Sequence, residues 1–188
     1  MIIAIKQADR VVVGYTVDAW YFLTEQDCID PENIAIKFTQ TGQMIVFGRP
    51  DSYADLFMYD EHFADMAATP KTIVRDMIPY IKRKLKENYK PLSKSGSWYN
   101  ALIICDNEHI YSVGSKFDFR EEVDYVAIGI VSMSETLKSV IDATTSLPAE
   151  ERMIKAVEVA TKVHKQILFP LVITDTKTKQ FKVIYQGE

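Results

Sequence analysis

Cysteine is nearly missing from this sequence. Cys28 and Cys105 are the only two in 188 residues, far apart and in no metal-ligand spacing, which excludes a disulfide framework and fits reduced thiols in a reducing compartment. Glycine and proline are scarce as well, seven of each, and no repeat or Gly/Ser/Pro-rich tract marks a hinge, so residues 1–188 are expected to form a single domain. No apolar stretch approaches the roughly 18–20 residues of a membrane span, and no cationic segment followed by an apolar one opens the chain. The expected setting is the cytoplasm, without membrane contact. A cationic excess is lacking too: 22 Lys and Arg face 26 Asp and Glu, for a net charge of −4, and the densest basic run, Lys82-Arg83-Lys84-Leu85-Lys86, falls on an expected helix. No nucleic-acid partner is expected. His62, His109 and His164 are too scattered for a metal site, and no cofactor is expected.

What the chain has in quantity is apolar surface. With 47% hydrophobic and 11% aromatic residues, a chain of this length buries about 70% of the surface it exposes when unfolded. Met1 to Gln7 and Arg10 to Thr16 are β-branched runs joined at Ala8-Asp9, a hairpin that starts at residue 1. Asn33 to Phe38 and Met44 to Gly48 form a second hairpin around Thr41-Gly42. The period then changes: Tyr53, Leu56, Phe57, Phe63 and Met66 predict a helix over 51–66 with Asp51 as its cap, and Thr69-Pro70 opens another through Leu85, with Pro79 as a kink. Asn100 to Asp106 and His109 to Val113 predict a third hairpin, and Tyr125 to Ile130 one more strand. Ser132-Met-Ser-Glu135 reads as a capping box, Pro148 opens a further helix, and Leu168 to Thr174 and Phe181 to Tyr185 close the chain as strands. Helix pairs alternating with antiparallel hairpins imply an α+β fold, a four-layer αββα sandwich with two facing sheets and helices outside.

This order of elements resembles the proteasome β-subunit family, including its bacterial HslV-type members, within the N-terminal-nucleophile (Ntn) hydrolase fold. The resemblance rests on the hairpin at residue 1, on Tyr53-Ala54-Asp55 after the fourth strand, and on Ala127-Ile128-Gly129 leading into a helix pair. It implies chemistry by a Thr, Ser or Cys at residue 1 whose own α-amine is the general base. An Asp at the end of the second strand, a Lys on the third, and the amide of a small-residue turn assist it.

Position by position, this chain departs from that pattern. Residue 1 is Met1, whose thioether has no proton to give up, and Ile2 behind it discourages methionine removal and offers no nucleophile itself. The second-strand Asp matches Thr16, with Asp18 two residues on. The third-strand Lys matches Lys37 in the proteasome register and Ile36 in the HslV-type register. The oxyanion turn becomes Gly48-Arg49-Pro50-Asp51, where Pro50 has no amide hydrogen, and Ile130 replaces the family's serine. The candidate cleft positions are therefore Met1, Thr16, Asp18, Lys37, Gly48 and Arg49, with no catalytic residue assigned. Lys37 is either a retained catalytic ammonium or an ordinary edge lysine; Asp18 is a displaced acid or a loop carboxylate; Thr16 as an internal nucleophile calls for cleavage just before it. Cys105 lies in an apolar strand where a thiol is inert, and Trp20-Tyr21-Phe22 either covers a ligand or neighbour or plugs the core.

Two readings of function follow. One is a non-catalytic proteasome-β-like subunit, structural or binding, that assembles into a homo-oligomer through aromatics such as Phe57, Tyr59 and Phe63 and the Trp20 loop. The other is an Ntn-type amidohydrolase or threonine-type peptidase with a displaced or processed nucleophile.

Overall fold

The computed structural model describes residues 1–16, 26, 29, 35–48, 53–88, 90, 92–98, 100–165 and 168–187. Trp20-Tyr21-Phe22, Cys28, the Asp51 cap, Asp18 and Arg49 lie outside them.

Two antiparallel sheets carry the chain. The first contains β1 (Ile2–Gln7), β2 (Arg10–Thr16), β8 (Tyr125–Ile128), β9 (Leu171–Asp175) and β10 (Lys182–Ile184), in the order β10-β9-β2-β1-β8. The second is a meander in chain order: β3 (Ile36–Phe38), β4 (Met44–Phe47), β5 (Leu102–Cys105), β6 (Ile110–Val113) and β7 (Phe119–Glu122). Turn chemistry matches the hairpin readings. Ala8 takes a positive φ of 45° between β1 and β2, Gly42 one of 84° between β3 and β4, and the Asp106 carboxylate accepts the Glu108 and His109 amides between β5 and β6.

Alternation along the strands assigns their faces. Ile2, Ala4, Val11, Val13 and Tyr15 of the first sheet share one cluster with Ile36, Met44, Val46, Ile103, Cys105 and Ile110 of the second. The opposite face of the first sheet, Ile3, Ile5, Val12, Leu171 and Ile173, packs on α5 (Val131–Ala143) and α6 (Ala149–His164) through Leu137, Ile141, Met153 and Val157. These helices run antiparallel, tied by a hydrogen bond between Thr136 and His164 near one end and by Arg152 donating to the Ile141 carbonyl near the other. The opposite face of the second sheet, Ile45, Phe47, Leu102 and Ile104, packs on the central helices and on Trp98, which stacks on Phe117 and donates Nε1–H to the Gly114 carbonyl. Among the described residues no helix is long and apolar enough to cross a membrane.

Four local expectations need correction. The single helix over 51–66 is instead α1 (Asp55–Met58) and α2 (Glu61–Asp65), because the Asp60 side chain accepts the Phe63 amide and starts a new helix. Phe57 and Phe63 are fully buried in the core, so they offer no surface to a partner, whereas Tyr59 is exposed. The next helix is capped by Thr69 and Thr72 as a reciprocal pair and runs through α3 (Pro70–Thr72), a π-helical turn (Ile73–Met77) and α4 (Ile78–Glu87). The chain absorbs Pro79 by widening the turn before it, where the Ile78 amide donates to the Ile73 carbonyl. Ser132 caps nothing: α5 begins at Val131, with Ile130 at the cap position and no side-chain bond there. A further strand, β7, went unanticipated, since Phe119-Arg-Glu-Glu122 has no apolar alternation.

Gly14 on β2 admits α6 to the sheet, because a Cβ there would lie 2.9 Å from the Met153 sulfur and 3.3 Å from Leu171 Cδ1. Gly14→Val is expected to lower stability by about 1–3 kcal/mol through overpacking. Urea unfolding checks this, and Met153→Ala in the same chain should recover part of the loss. An unchanged midpoint in Gly14→Val contradicts this packing.

Candidate functional site

The first hairpin assembles the site. Its register pairs Gln7 with Arg10 and Ile2 with Tyr15, so the next position brings Met1 opposite Thr16. The Met1 α-amine donates to Thr16 Oγ1 at 2.7 Å, and the Thr16 amide donates to the Met1 carbonyl at 2.9 Å. The thioether lies across the end of β8, where a Cβ on Gly129 would sit 2.5 Å from Met1 Cγ and 2.9 Å from its sulfur. A side chain at residue 129 would have to displace the Met1 thioether, which gives Gly129 a packing role at residue 1. Both Met1 and Thr16 are half-buried as residues, while the amine itself is buried. Burial lowers its pKa from 8.0 to about 6, so the amine is neutral at physiological pH.

The other candidate positions divide. Ile36 belongs to the cluster between the sheets together with Ile2 and Tyr15, and Lys37 projects to the opposite face. The Lys37 ammonium donates to the carbonyls of Phe57 at 3.2 Å, Met58 at 2.5 Å and Asp60 at 3.1 Å, satisfying the open end of α1. Burial holds its pKa below the lysine range, partly offset by the charges of Asp60, Glu61 and Asp65. The Asp60 carboxylate beside it accepts Tyr80 Oη at 2.7 Å and pairs with Lys84 at 3.0 Å. Burial pushes that carboxyl up, but the bonds from Tyr80, Lys84 and the Phe63 amide outweigh it and hold it below the usual carboxylate range. Gly48, the first residue of the run Gly48-Arg49-Pro50-Asp51 that matches the family's oxyanion turn, gives its amide to the Ala101 carbonyl at 2.7 Å. The Cys105 thiol is buried between the sheets, and burial pushes its pKa well up, which makes it inert. Among the described residues no cluster of His, Cys, Asp or Glu is arranged to hold a metal.

The structure thus brings Met1, Thr16 and Gly129 together and turns the Lys37 ammonium and the Gly48 amide to other partners. Two contributors escaped the sequence reading: Gly129 as the seat of Met1, and the direct bond between amine and hydroxyl. The second was available by counting, since a two-residue loop at Ala8-Asp9 sets Met1 against Thr16.

Two facing antiparallel sheets with helices packed against them, and with residue 1 at the end of a central strand, define the Ntn-hydrolase fold. It is the fold of HslV-type and proteasome-like proteins, to which this chain is similar. No family model and no curated protein matches the chain. Solved structures do: BPH of Thiobacillus denitrificans superposes with a TM-score of 0.66 at 17% identity, covering 93% of this chain and 96% of that one. HslV of Trypanosoma brucei gives 0.55 at 15% identity, covering 93% and 97%. Anbu, the ancestral β-subunit of Yersinia bercovieri, gives 0.58 at 15%, covering 99% and 87%. At these identities the likeness is one of fold.

The depressed amine has a consequence for stability. The folded chain releases the amine proton at about pH 6 and the unfolded chain at about 8, so between these values the unfolded state binds more protons and stability rises with pH, by about 3 kcal/mol for two pKa units. A carboxylate beside the amine would favour its charged form, so Thr16→Asp should raise the amine pKa and flatten that rise. NMR titration of Met1 and urea unfolding at pH 6 and 8 check both; an amine that titrates near 8 in the wild type contradicts the burial.

Proposed function

We propose that this chain is a non-catalytic member of the proteasome-β-like fold, a single αββα domain that acts as a structural or binding subunit and does not hydrolyse peptide bonds. The observation that carries the reading is residue 1. Its amine keeps the place of the family's general base, but the side chain attached to it is a thioether packed on Gly129 rather than a hydroxyl or thiol. The Gly48 amide and the Lys37 ammonium are committed to backbone carbonyls elsewhere, so neither a displaced oxyanion nor a nucleophile's pKa receives their support. Loss of one oxyanion donor alone costs roughly 100–1000-fold in turnover.

The purified chain is expected to give no release of fluorophore from peptide–coumarin substrates above buffer, under conditions where an HslV-type enzyme turns over. Turnover comparable to that enzyme overturns the reading.

Self-association is the second part of the proposal. Ile130 and Val131 at the start of α5 and Val163 near the end of α6 are exposed, Val131 at 73%, and stand at the same end of the antiparallel pair. Exposed apolar groups gathered on one helical face are the usual material of subunit contacts. Light scattering at micromolar concentration is expected to give at least a dimer, and Val131→Glu with Val163→Glu to shift it toward a single chain. A wild-type protein that scatters as one chain refutes the assembly.

A further inference from the structure

The Met1 amine and the Thr16 hydroxyl meet at 2.7 Å. The Thr16 amide bonded to the Met1 carbonyl, and the antiparallel ladder behind it, fix both groups from the backbone. In N-terminal nucleophiles the base and the hydroxyl belong to one residue; here the same two functions are brought together by strand register from two residues. Thr16 closes β2 as a half-exposed residue, its hydroxyl accepting from the Met1 amine and donating to the Met1 carbonyl at 3.5 Å.

We propose that Thr16 Oγ1 is an acyl-accepting nucleophile and the Met1 α-amine its general base, taking activated acyl compounds such as small esters and thioesters, with no cleavage of the chain required. In the step, Oγ1 forms a bond to the acyl carbon while its proton passes to the lone pair of the Met1 nitrogen. The tetrahedral adduct collapses by breaking the bond to the leaving oxygen or sulfur, which takes the proton from the Met1 ammonium. The products are an acyl ester on Thr16 and a free alcohol or thiol, and the amine is neutral again. Burial supports this role, since an amine of pKa about 6 has its lone pair available at neutral pH. The engaged Gly48 amide limits the site to good leaving groups, because the tetrahedral oxyanion lacks that donor. The inference rests on the amine–hydroxyl pair and not on the absence of peptide hydrolysis, so either can fail alone.

The test uses p-nitrophenyl acetate on the intact chain at pH 7.5, read by intact mass and by fragmentation of the tryptic peptide from Val11 to Lys37. The expected result is one acetyl group on Thr16, retained in Thr16→Ser and lost in Thr16→Val. A two-residue extension ahead of Met1, which leaves Thr16 in place and removes its base, should slow the labelling by roughly a hundredfold. Circular dichroism and thermal unfolding matching the wild type establish that each variant is folded. An acetyl group that stays at the same rate in Thr16→Val, that is indifferent to the extension, or that never reaches Thr16 overturns the proposal.

Discussion

The strand β1 is the constraint from which the rest of the site follows. It is paired on both edges, by β2 and β8, and covered on both faces, by the second sheet and by the α5–α6 pair. Ile2, Ile3, Ala4 and Ile5 are accordingly all apolar and all buried, which is the pattern of a central strand and not of an edge. Such a strand carries its first amine into the interior, where a charge is costly and a polar group needs a partner. Thr16 supplies that partner by register alone. A carboxylate at the same place would hold the amine as an ammonium; the hydroxyl leaves it neutral, and so the exchange of one acceptor for another changes what residue 1 can do.

A second constraint is parity along β3. The period of two decides that Ile36 enters the space between the sheets and that Lys37 leaves it, so a single step in the chain separates a place between the sheets from a helix-end cap. Once on the outer side, Lys37 gathers the last carbonyls of α1, and Asp60 both ends that group and begins α2. Tyr80 and Lys84 then bind Asp60 to α4, so a polar network joins β3, α2 and α4 across an otherwise aromatic layer in which Phe47, Phe57 and Phe63 pack together. The energetic use of these groups is local structure.

Much of this was legible in the sequence, and the exceptions have identifiable causes. The hairpins are readable because alternation and turn residues such as Ala8-Asp9 and Thr41-Gly42 speak together. The continuous helix over 51–66 was not, since apolar spacing persists through Tyr59-Asp60 while the Asp60 side chain competes for the backbone. The Ser132–Glu135 motif has the right letters, yet β8 ends at Ile128 and the helix starts one residue before Ser132, too early for its hydroxyl to serve. Periodicity marks Phe57 and Phe63 as part of an apolar stripe without saying what covers it; the second sheet does. In the site, the departures at Met1, Thr16 and Gly48 were visible residue by residue, whereas their partners depended on geometry that no single position encodes.

The two sheets are also built from different ranges of the chain. The second is a meander whose neighbours follow one another, β3 to β7, so each pairing closes over a modest span. The first joins β1 to β8, Ile2 opposite Ile128, and β2 to β9, Thr16 opposite Leu171. Loops of that length close slowly, and a hairpin apolar on both faces waits for its cover. During synthesis this hairpin is made well before the strands that flank it, so it stays exposed to other chains while the intervening residues are translated.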